Sequence, residues 1–126
     1  MSVQLVDRDL ERLEGLWDDG LSVAYSSYLE ALAGYEAAAR PRLALAAALV
    51  EIGIRLQGLG GRAAAPATLL IGDLCLARSA RLLADAASTE VQVAFARAIE
   101  EMSTAAAAAR PAPRIRELLL RAFEVS

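Results

Sequence analysis

The sequence predicts an all-α protein of about six helices. Apolar residues recur at intervals of three and four along most of the chain, which is the spacing of the buried side of a helix. No stretch shows the strict alternation of polar and apolar residues that a strand would need. Alanine and leucine account for 29 and 21 of the 126 residues, and the hydrophobic content of 56% is above that of an average soluble protein. The length fits a single helical domain over residues 1–126.

Three helices are predicted in the first half of the chain. Gly20, after two aspartates, ends the first of them, and Pro41 lies where proline is favoured, at the start of the third. The glycines of 58–61 end that third helix. The apolar stripes are Val6, Leu10, Leu13 and Trp17; Leu21, Tyr25, Tyr28, Leu32 and Tyr35; and Leu45, Leu49, Ile52 and Leu56.

Three more helices follow Pro66. The first covers about 67–86, and Ser88 is placed to cap the second, with Glu90 in its first turn, where a negative charge is favourable. Pro111 and Pro113 separate the last helix from the one before it. The apolar stripes of these last two helices are Val91, Phe95, Ile99 and Met102, and Ile115, Leu118, Leu119 and Ala122.

The segment 67–86 is more apolar than a surface helix needs to be. An ordinary surface helix has one apolar stripe, whereas this segment has charges only at Asp73, Arg78, Arg81 and Asp85. It is therefore either the central helix of the bundle or part of a subunit interface. In both cases its small residues allow close approach of another helix; these are Gly72, Ala77, Ser79 and Ala80.

The composition excludes several kinds of catalytic site. The chain contains no histidine and no lysine, and all 13 basic residues are arginine. A Ser-His-Asp triad, a lysine Schiff base and a phosphate-binding loop that ends in lysine are therefore impossible within this chain. With a single cysteine and no histidine, a zinc site is also excluded.

Charge and hydropathy limit the partners and the compartment. A net charge of -3 argues against nucleic acid as the partner. The longest runs without a charged residue, 20–29 and 63–72, have only ten residues each, whereas a membrane-spanning helix needs about 20. We therefore expect no transmembrane segment. The N-terminus lacks the features of a signal peptide, and a lone Cys75 suits a reducing compartment, so we expect a cytoplasmic protein.

Three segments resemble parts of the trans-type polyprenyl diphosphate synthases of the isoprenoid synthase family, and they follow one another along the chain in the same order as in that family. Residues 69–84 read Leu-Leu-Ile-Gly-Asp-Leu-Cys-Leu-Ala-Arg-Ser-Ala-Arg-Leu-Leu-Ala and are similar to that family's "GD-x-L-L-A-x-A" helix. The start Arg40-Pro41-Arg42-Leu43 is similar to its "R-P-x-L" helix start, and 88–102 to its next helix. The resemblance covers about 40–104 and leaves 105–126 as a linker and C-terminal helix. It implies a truncated isoprenoid-synthase-like helical bundle.

The catalytic motifs of that family are missing from this chain. Catalytic members carry a D-D-x-x-D motif between the "R-P-x-L" helix and the "GD-x-L-L-A-x-A" helix. The carboxylates of this motif hold Mg²⁺ against the diphosphate. Here 57–65 contains no Asp or Glu, and Asp18-Asp19 lacks the third acid and precedes Arg40. The family binds the diphosphate with a lysine and an arginine. Here Arg40 stands at the arginine position, whereas Ala37 stands at the lysine position. The chain is therefore expected to hold no cofactor and to be no enzyme on its own.

The resemblance implies a role as the small, non-catalytic subunit of a heterodimeric synthase. Such a subunit supports the activity, or sets the product chain length, of a large catalytic subunit in isoprenoid biosynthesis, within a heterodimer or heterotetramer. The large subunit would then supply the Mg²⁺ site. The residues expected to face the large subunit lie along one side of segment 67–86; they are Leu70, Asp73, Leu74, Ala77 and Arg81.

Two other kinds of protein remain open on the sequence alone. One is a homo-oligomeric helical scaffold without a ligand. The other is a small all-α enzyme similar to the chorismate mutases, in which Arg55, Arg78 and Arg97 approach one another around an anionic substrate. Sites of that kind usually include a lysine, and this chain has none.

Overall fold

The structure is a computed structural model, and it describes residues 20–57, 66–108 and 114–125. Within these ranges the chain is 86% helix and has no strand, which confirms the all-α prediction. The helix predicted around Val6 to Trp17 lies outside the described residues. The described elements are α1 (Ser22–Ala31), α2 (Arg40–Leu56), α3 (Pro66–Ala86), α4 (Thr89–Ala107), α5 (Ile115–Ala122) and a closing 3₁₀ turn (Phe123–Val125).

Local sequence signals set most of the observed boundaries. Pro41 lies in the first turn of α2, as predicted. At the start of α4, the Val91 backbone N–H donates to Ser88 Oγ at 3.3 Å, and Glu90 lies in the first turn. The second predicted stripe is longer than its helix, because α1 ends at Ala31 and Tyr35 lies in the connection to α2. Gly34 precedes Tyr35 in that connection, and glycine is a poor helix former.

Helix α2 is the centre of the bundle. It packs against both α1 and α3 and also contacts α5. Nearly every side chain from Leu43 to Ile54 is buried, on all sides of the helix. Many of these side chains are alanine, which lets the neighbouring helices approach the α2 backbone closely. One hydrophobic cluster built around α2 contains buried residues from all five helices.

The prediction that 67–86 could be the central helix is wrong. Its helix, α3, buries only Gly72, Cys75, Ser79 and Leu83, whose spacing of three and four places them on a single side. The scarcity of charges in α3 therefore reflects an exposed surface of alanine and leucine rather than burial all round. None of the helices within the described ranges is long and apolar enough to cross a membrane.

Aromatic contacts attach the C-terminal turn to the rest of the bundle. The ring of Phe123 meets those of Tyr35 and Phe95 edge to face, with centroid distances of 5.9 and 5.0 Å. The Tyr35 hydroxyl also donates to the Phe123 carbonyl oxygen. The turn after α5 is thereby joined both to the α1–α2 connection and to α4.

The Ser88 cap gives a first stability prediction. Replacing Ser88 by alanine removes the acceptor for the Val91 N–H and should lower the free energy of unfolding by about 1 kcal/mol. Urea unfolding followed by circular dichroism measures the change. Ser103→Ala is the matched control, because Ser103 Oγ donates to the Ile99 carbonyl within the same helix and such a bond adds little to stability. Equal losses in the two variants would contradict the capping role.

Candidate partner-binding face

The five residues predicted to face a partner lie together on one side of α3, which we term the outer face of α3: Leu70, Asp73, Leu74, Ala77 and Arg81. Leu70 is 56% exposed; Asp73, Ala77 and Arg81 are exposed, and Leu74 is half-buried. Steps of three and four residues keep such positions on the same side of a helix. The structure therefore brings these residues together on a surface that the rest of the described chain leaves open.

A close crossing of two glycines fixes the position of this face. A Cβ atom on Gly53 of α2 would lie 3.1 Å from the Gly72 carbonyl oxygen of α3. A Cβ atom on Gly72 would lie 2.7 Å from Gln57 Cγ and 3.0 Å from the Gly53 carbonyl oxygen. The two backbones therefore touch at a point where only glycine fits without a shift. This contact holds the inner side of α3 against α2 and turns the outer face outward.

Asp73 also has a role within the chain. Its Oδ1 accepts a hydrogen bond from Gln57 Nε2 at the end of α2. One carboxylate oxygen is thus engaged beside the glycine crossing, while the residue as a whole stays exposed. The prediction placed Asp73 only at a partner contact, and the structure adds a bond that ties α3 to α2.

Arg40, the remaining arginine of the resembled diphosphate site, makes a structural contact. Its Nη2 donates to the Tyr35 carbonyl oxygen at 3.0 Å, which joins the start of α2 to the connection before it. Its Nε is buried without a hydrogen-bond partner in the described part of the chain. The neighbouring residues Pro41 and Arg42 line a shallow cavity of about 300 Å³ with Tyr25, Leu45 and Leu82.

A buried carboxylate cluster was not anticipated from the sequence. Glu51, in the middle of α2, is fully buried. Its Oε1 accepts from the Tyr28 hydroxyl at 2.9 Å and from Arg116 Nε at 3.1 Å, and its Oε2 accepts from Arg116 Nη2 at 3.0 Å. Arg55, one turn further along α2, pairs with the same Oε2 at 3.2 Å. The cluster connects α1, α2 and α5 through one carboxylate.

The environment keeps the groups around Glu51 in fixed protonation states. Burial, followed by the negative charge of Glu51, raises the pKa of the Tyr28 hydroxyl well above its usual range, so it remains a hydrogen-bond donor. The hydrogen bond to Glu51 raises the pKa of Arg116. Because Tyr28 and Glu51 are enclosed, the cluster holds helices together rather than receiving a ligand. An acid in the middle of an apolar run was the sequence signal for it.

A second surface, also not anticipated, is a groove between α4 and α5. It has a volume of about 530 Å³. Val93, which is 44% exposed, lies in it. Its charged rim mixes both signs, with Glu90, Arg97 and Glu101 on α4 and Arg121 on α5. Within the described ranges, no group of three or more His, Cys, Asp or Glu side chains could hold a metal ion.

The three arginines considered for an anionic substrate belong to three different helices. Arg55 lies on α2 and pairs with Glu51. Arg78 is exposed on α3. Arg97 lies on α4, at the rim of the groove. The guanidinium of Arg55 is therefore already engaged by the buried carboxylate.

The buried thiol of Cys75, on the inner side of α3, predicts a loss of stability at alkaline pH. Burial raises the pKa of Cys75 to about 11. The unfolded chain releases this proton at a lower pH than the folded chain, so stability is full below the unfolded pKa and falls as pH rises toward the folded value. Between about pH 9 and 10 the free energy of unfolding should drop by about 1 kcal/mol.

Guanidinium unfolding at pH 8, 9 and 10 measures this effect, with Cys75→Ala as the comparison. The variant should lose most of the decline. The part that remains near pH 10 is expected from Tyr28, whose hydroxyl begins to ionise there in the unfolded chain but not in the folded one. Only the change with pH is compared, because the substitution itself alters the core. The same decline in both proteins would contradict the assignment to Cys75.

Comparison of the chain with protein-family models, with curated proteins and with solved structures gives no significant match. The resemblance to polyprenyl diphosphate synthases therefore rests on the three sequence segments alone.

Proposed function

We propose that this protein is the non-catalytic subunit of a heterodimeric polyprenyl diphosphate synthase and that it binds its catalytic partner through the outer face of α3. The observation that supports this most is the exposure of Leu70 and Ala77 beside the half-buried Leu74, on the helix that carries the Gly-Asp motif. Apolar side chains at the centre and charged ones at the edge are the usual arrangement of a protein interface. Here Asp73 and Arg81 supply the charges.

The hydrophobic effect gives this face a reason to be covered. Val23, Leu69, Leu70 and Val93 are the large apolar residues most exposed in the described chain, and Leu70 lies on the outer face of α3. Removing a leucine side chain from water contributes about 1.5–3 kcal/mol. A partner that covers Leu70, which is 56% exposed, and the half-buried Leu74 gains part of this contribution from each. It does so without rearranging α3, because the glycine crossing already fixes α3 against α2.

The proposal assigns the chemistry to the partner. A diphosphate leaving group has to be neutralised before an allylic cation forms, and clustered carboxylates with Mg²⁺ provide that neutralisation. In the proposed complex those carboxylates belong to the catalytic subunit. This chain contributes packing, which supports activity or sets product length. We place the complex in the cytoplasm, in agreement with the free, buried thiol of Cys75.

Co-expression tests the proposal. The chain is expressed with a synthase from the same genome that carries the D-D-x-x-D motif, and the two proteins should purify together. With isopentenyl and allylic diphosphates and Mg²⁺, the chain alone should show no turnover. The complex should form more product, or longer products, than the catalytic subunit alone. Absence of co-purification together with unchanged products would overturn the proposal.

A matched pair of variants locates the interface. Leu70→Asp introduces a charge on the outer face of α3 and should weaken binding to the synthase at least about tenfold, because an unpaired charge is costly to bury. Val23→Asp introduces the same charge on α1 at a residue that is 66% exposed and should leave binding unchanged. Equal effects of the two variants would show that the outer face of α3 is not the contact surface.

A further inference from the structure

The shallow cavity between α1, α2 and α3 has room for one more large apolar side chain. Its volume is about 300 Å³, and the residues that line it come from all three helices: Tyr25 from α1, Pro41, Arg42 and Leu45 from α2, and Leu82 from α3. Leu45 and Leu82 are half-buried. A side chain placed between them would therefore remove further apolar surface from water.

Gly20, just before α1, determines how the preceding segment meets the bundle. Its φ is +122°, which a right-handed helix does not allow, so the axis of α1 does not continue into residues 1–19. A Cβ atom on Gly20 would lie 3.9 Å from Ile52 Cδ1, which places this turn against α2. Residues 1–19 therefore join the bundle at a turn beside both α1 and α2.

Residues 1–19 lie outside the described ranges, and their sequence suits this cavity. The predicted apolar stripe consists of Val6, Leu10, Leu13 and Trp17, and an acid directly follows each of its members: Asp7, Glu11, Glu14 and Asp18. Both sets recur at intervals of four, three and four residues. In a helix such intervals place each set along one side, so the apolar stripe would have an acidic edge next to it.

We propose that residues 1–19 form a helix that folds back along α1 from Gly20 and inserts Trp17 into the cavity. Tyr25 lies five residues after Gly20, or about 7 Å along α1. In an antiparallel hairpin, Trp17 and Leu13 return to about 4 and 10 Å from the same turn. The two apolar side chains thus lie on either side of the level of Tyr25.

Charge complementarity favours this position for the segment. Arg42 is exposed and is the charged residue among those that line the cavity. Arg78 and Asp85 are exposed one turn to either side of Leu82 on α3. Neither Arg42 nor Arg78 is among the arginines that form ion pairs within the described ranges. The acidic edge of the segment supplies the opposite charge for both.

This inference does not rest on the proposed function. The cavity and the outer face of α3 have no residue in common. An error in the assignment of one surface therefore leaves the other assignment standing, and the experiments below need no synthase.

Quenching of fluorescence by acrylamide tests the position of Trp17, the only tryptophan, in the full chain. In the wild type, quenching should be several-fold slower than that of free tryptophan. Leu82→Asp introduces a charge into the cavity and should shift the equilibrium at least about tenfold toward the undocked segment, so that quenching becomes faster. Circular dichroism shows whether the helices of each variant remain folded.

Two matched controls carry the same charge at other exposed apolar positions. Val93→Asp lies in the groove between α4 and α5. Val23→Asp lies on α1, two residues before Tyr25 and so on a different side of that helix. Both substitutions should leave the quenching of Trp17 unchanged.

Charge reversal gives a second test that leaves the cavity leucines unchanged. Arg42→Glu places an acid beside the acidic edge and should speed up quenching, more so at low salt than at high salt. A glutamate in the first turn of α2 is favourable for that helix, so unfolding of α2 would not be the cause. Adding Glu11→Arg and Glu14→Arg to this variant should return quenching close to the wild-type rate. Arg97→Glu, at the rim of the other groove, is the control and should have no effect.

Four results would overturn the inference. The first is a wild-type Trp17 that is quenched as fast as free tryptophan. The second is an equal response to Leu82→Asp and to either control, which would place the segment elsewhere. The third is Arg42→Glu without effect, or without recovery when the two acids are reversed. The fourth is protection of Trp17 that disappears on dilution, because the contact would then be between two copies of the chain.

Discussion

Replacing Arg116 by alanine should lower the free energy of unfolding by about 3 kcal/mol, because it leaves the buried carboxylate of Glu51 without its main partner. Glu51 has no contact with water that could compensate. Arg55 still pairs with it but is itself largely exposed, so its charge is well screened. The Tyr28 hydroxyl remains as a neutral donor. Urea unfolding followed by circular dichroism measures the loss.

Two comparisons separate the loss of a partner for the buried Glu51 carboxylate from the removal of an arginine in general. Arg114→Ala removes an exposed arginine that pairs with Glu117 one turn along the same segment and should change stability by less than about 0.5 kcal/mol. In a Glu51→Gln background no buried charge remains, so Arg116→Ala should lower stability by only about 1 kcal/mol. If Arg116→Ala had the same effect in both backgrounds, the buried charge would not be the cause.

The second large effect is expected at the glycine crossing. Gly72→Leu adds four carbons at a point where even the first would lie 2.7 Å from Gln57 Cγ and 3.0 Å from the Gly53 carbonyl oxygen. Helices α2 and α3 would have to separate along their contact. The free energy of unfolding should fall by about 3 kcal/mol. Leucine is a better helix former than glycine, so a loss measured by guanidinium unfolding reports packing rather than helix propensity.

Gly34→Ala is the control for that substitution. A Cβ atom on Gly34 would meet nothing within 4 Å, so alanine there should leave stability unchanged or raise it by about 0.5 kcal/mol. The stability of Gly72→Ala should lie between those of Gly72→Leu and Gly34→Ala, because the Gln57 side chain can move aside whereas the Gly53 carbonyl cannot. If Gly72→Leu were tolerated as well as Gly34→Ala, the helices would not be held together at this crossing.

The helix boundaries could be predicted because they depend on neighbouring residues. Pro41 at the start of α2, Ser88 at the cap of α4 and the end of α3 at Ala86 all follow from rules that act within one turn of the chain. The outward position of Leu70 and Ala77 could also be expected. The helical repeat places both residues on the same side of α3, opposite the side that is buried.

The central position of α2 and the Glu51 cluster could not be predicted in this way. Glu51 and Arg116 are 65 positions apart in sequence, and no local pattern specifies their contact. Glu51 places a charge in the middle of α2, yet Arg116 of α5 pairs with it and the surrounding alanines are buried. Tertiary packing decides which of two apolar helices lies inside the bundle, and the spacing of apolar residues along one helix gives no information about that packing.

The Glu51 cluster has a consequence for the order in which the protein can fold as it is made. Synthesis proceeds from the N-terminus, so α1 to α4 leave the ribosome before Arg116 and Phe123 exist as folded partners. Until α5 emerges, enclosing Glu51 would leave its carboxylate without its main counter-charge, and Tyr35 and Phe95 lack the ring that lies between them. We therefore expect the nascent chain to complete the packing around Glu51 only after α5 has emerged.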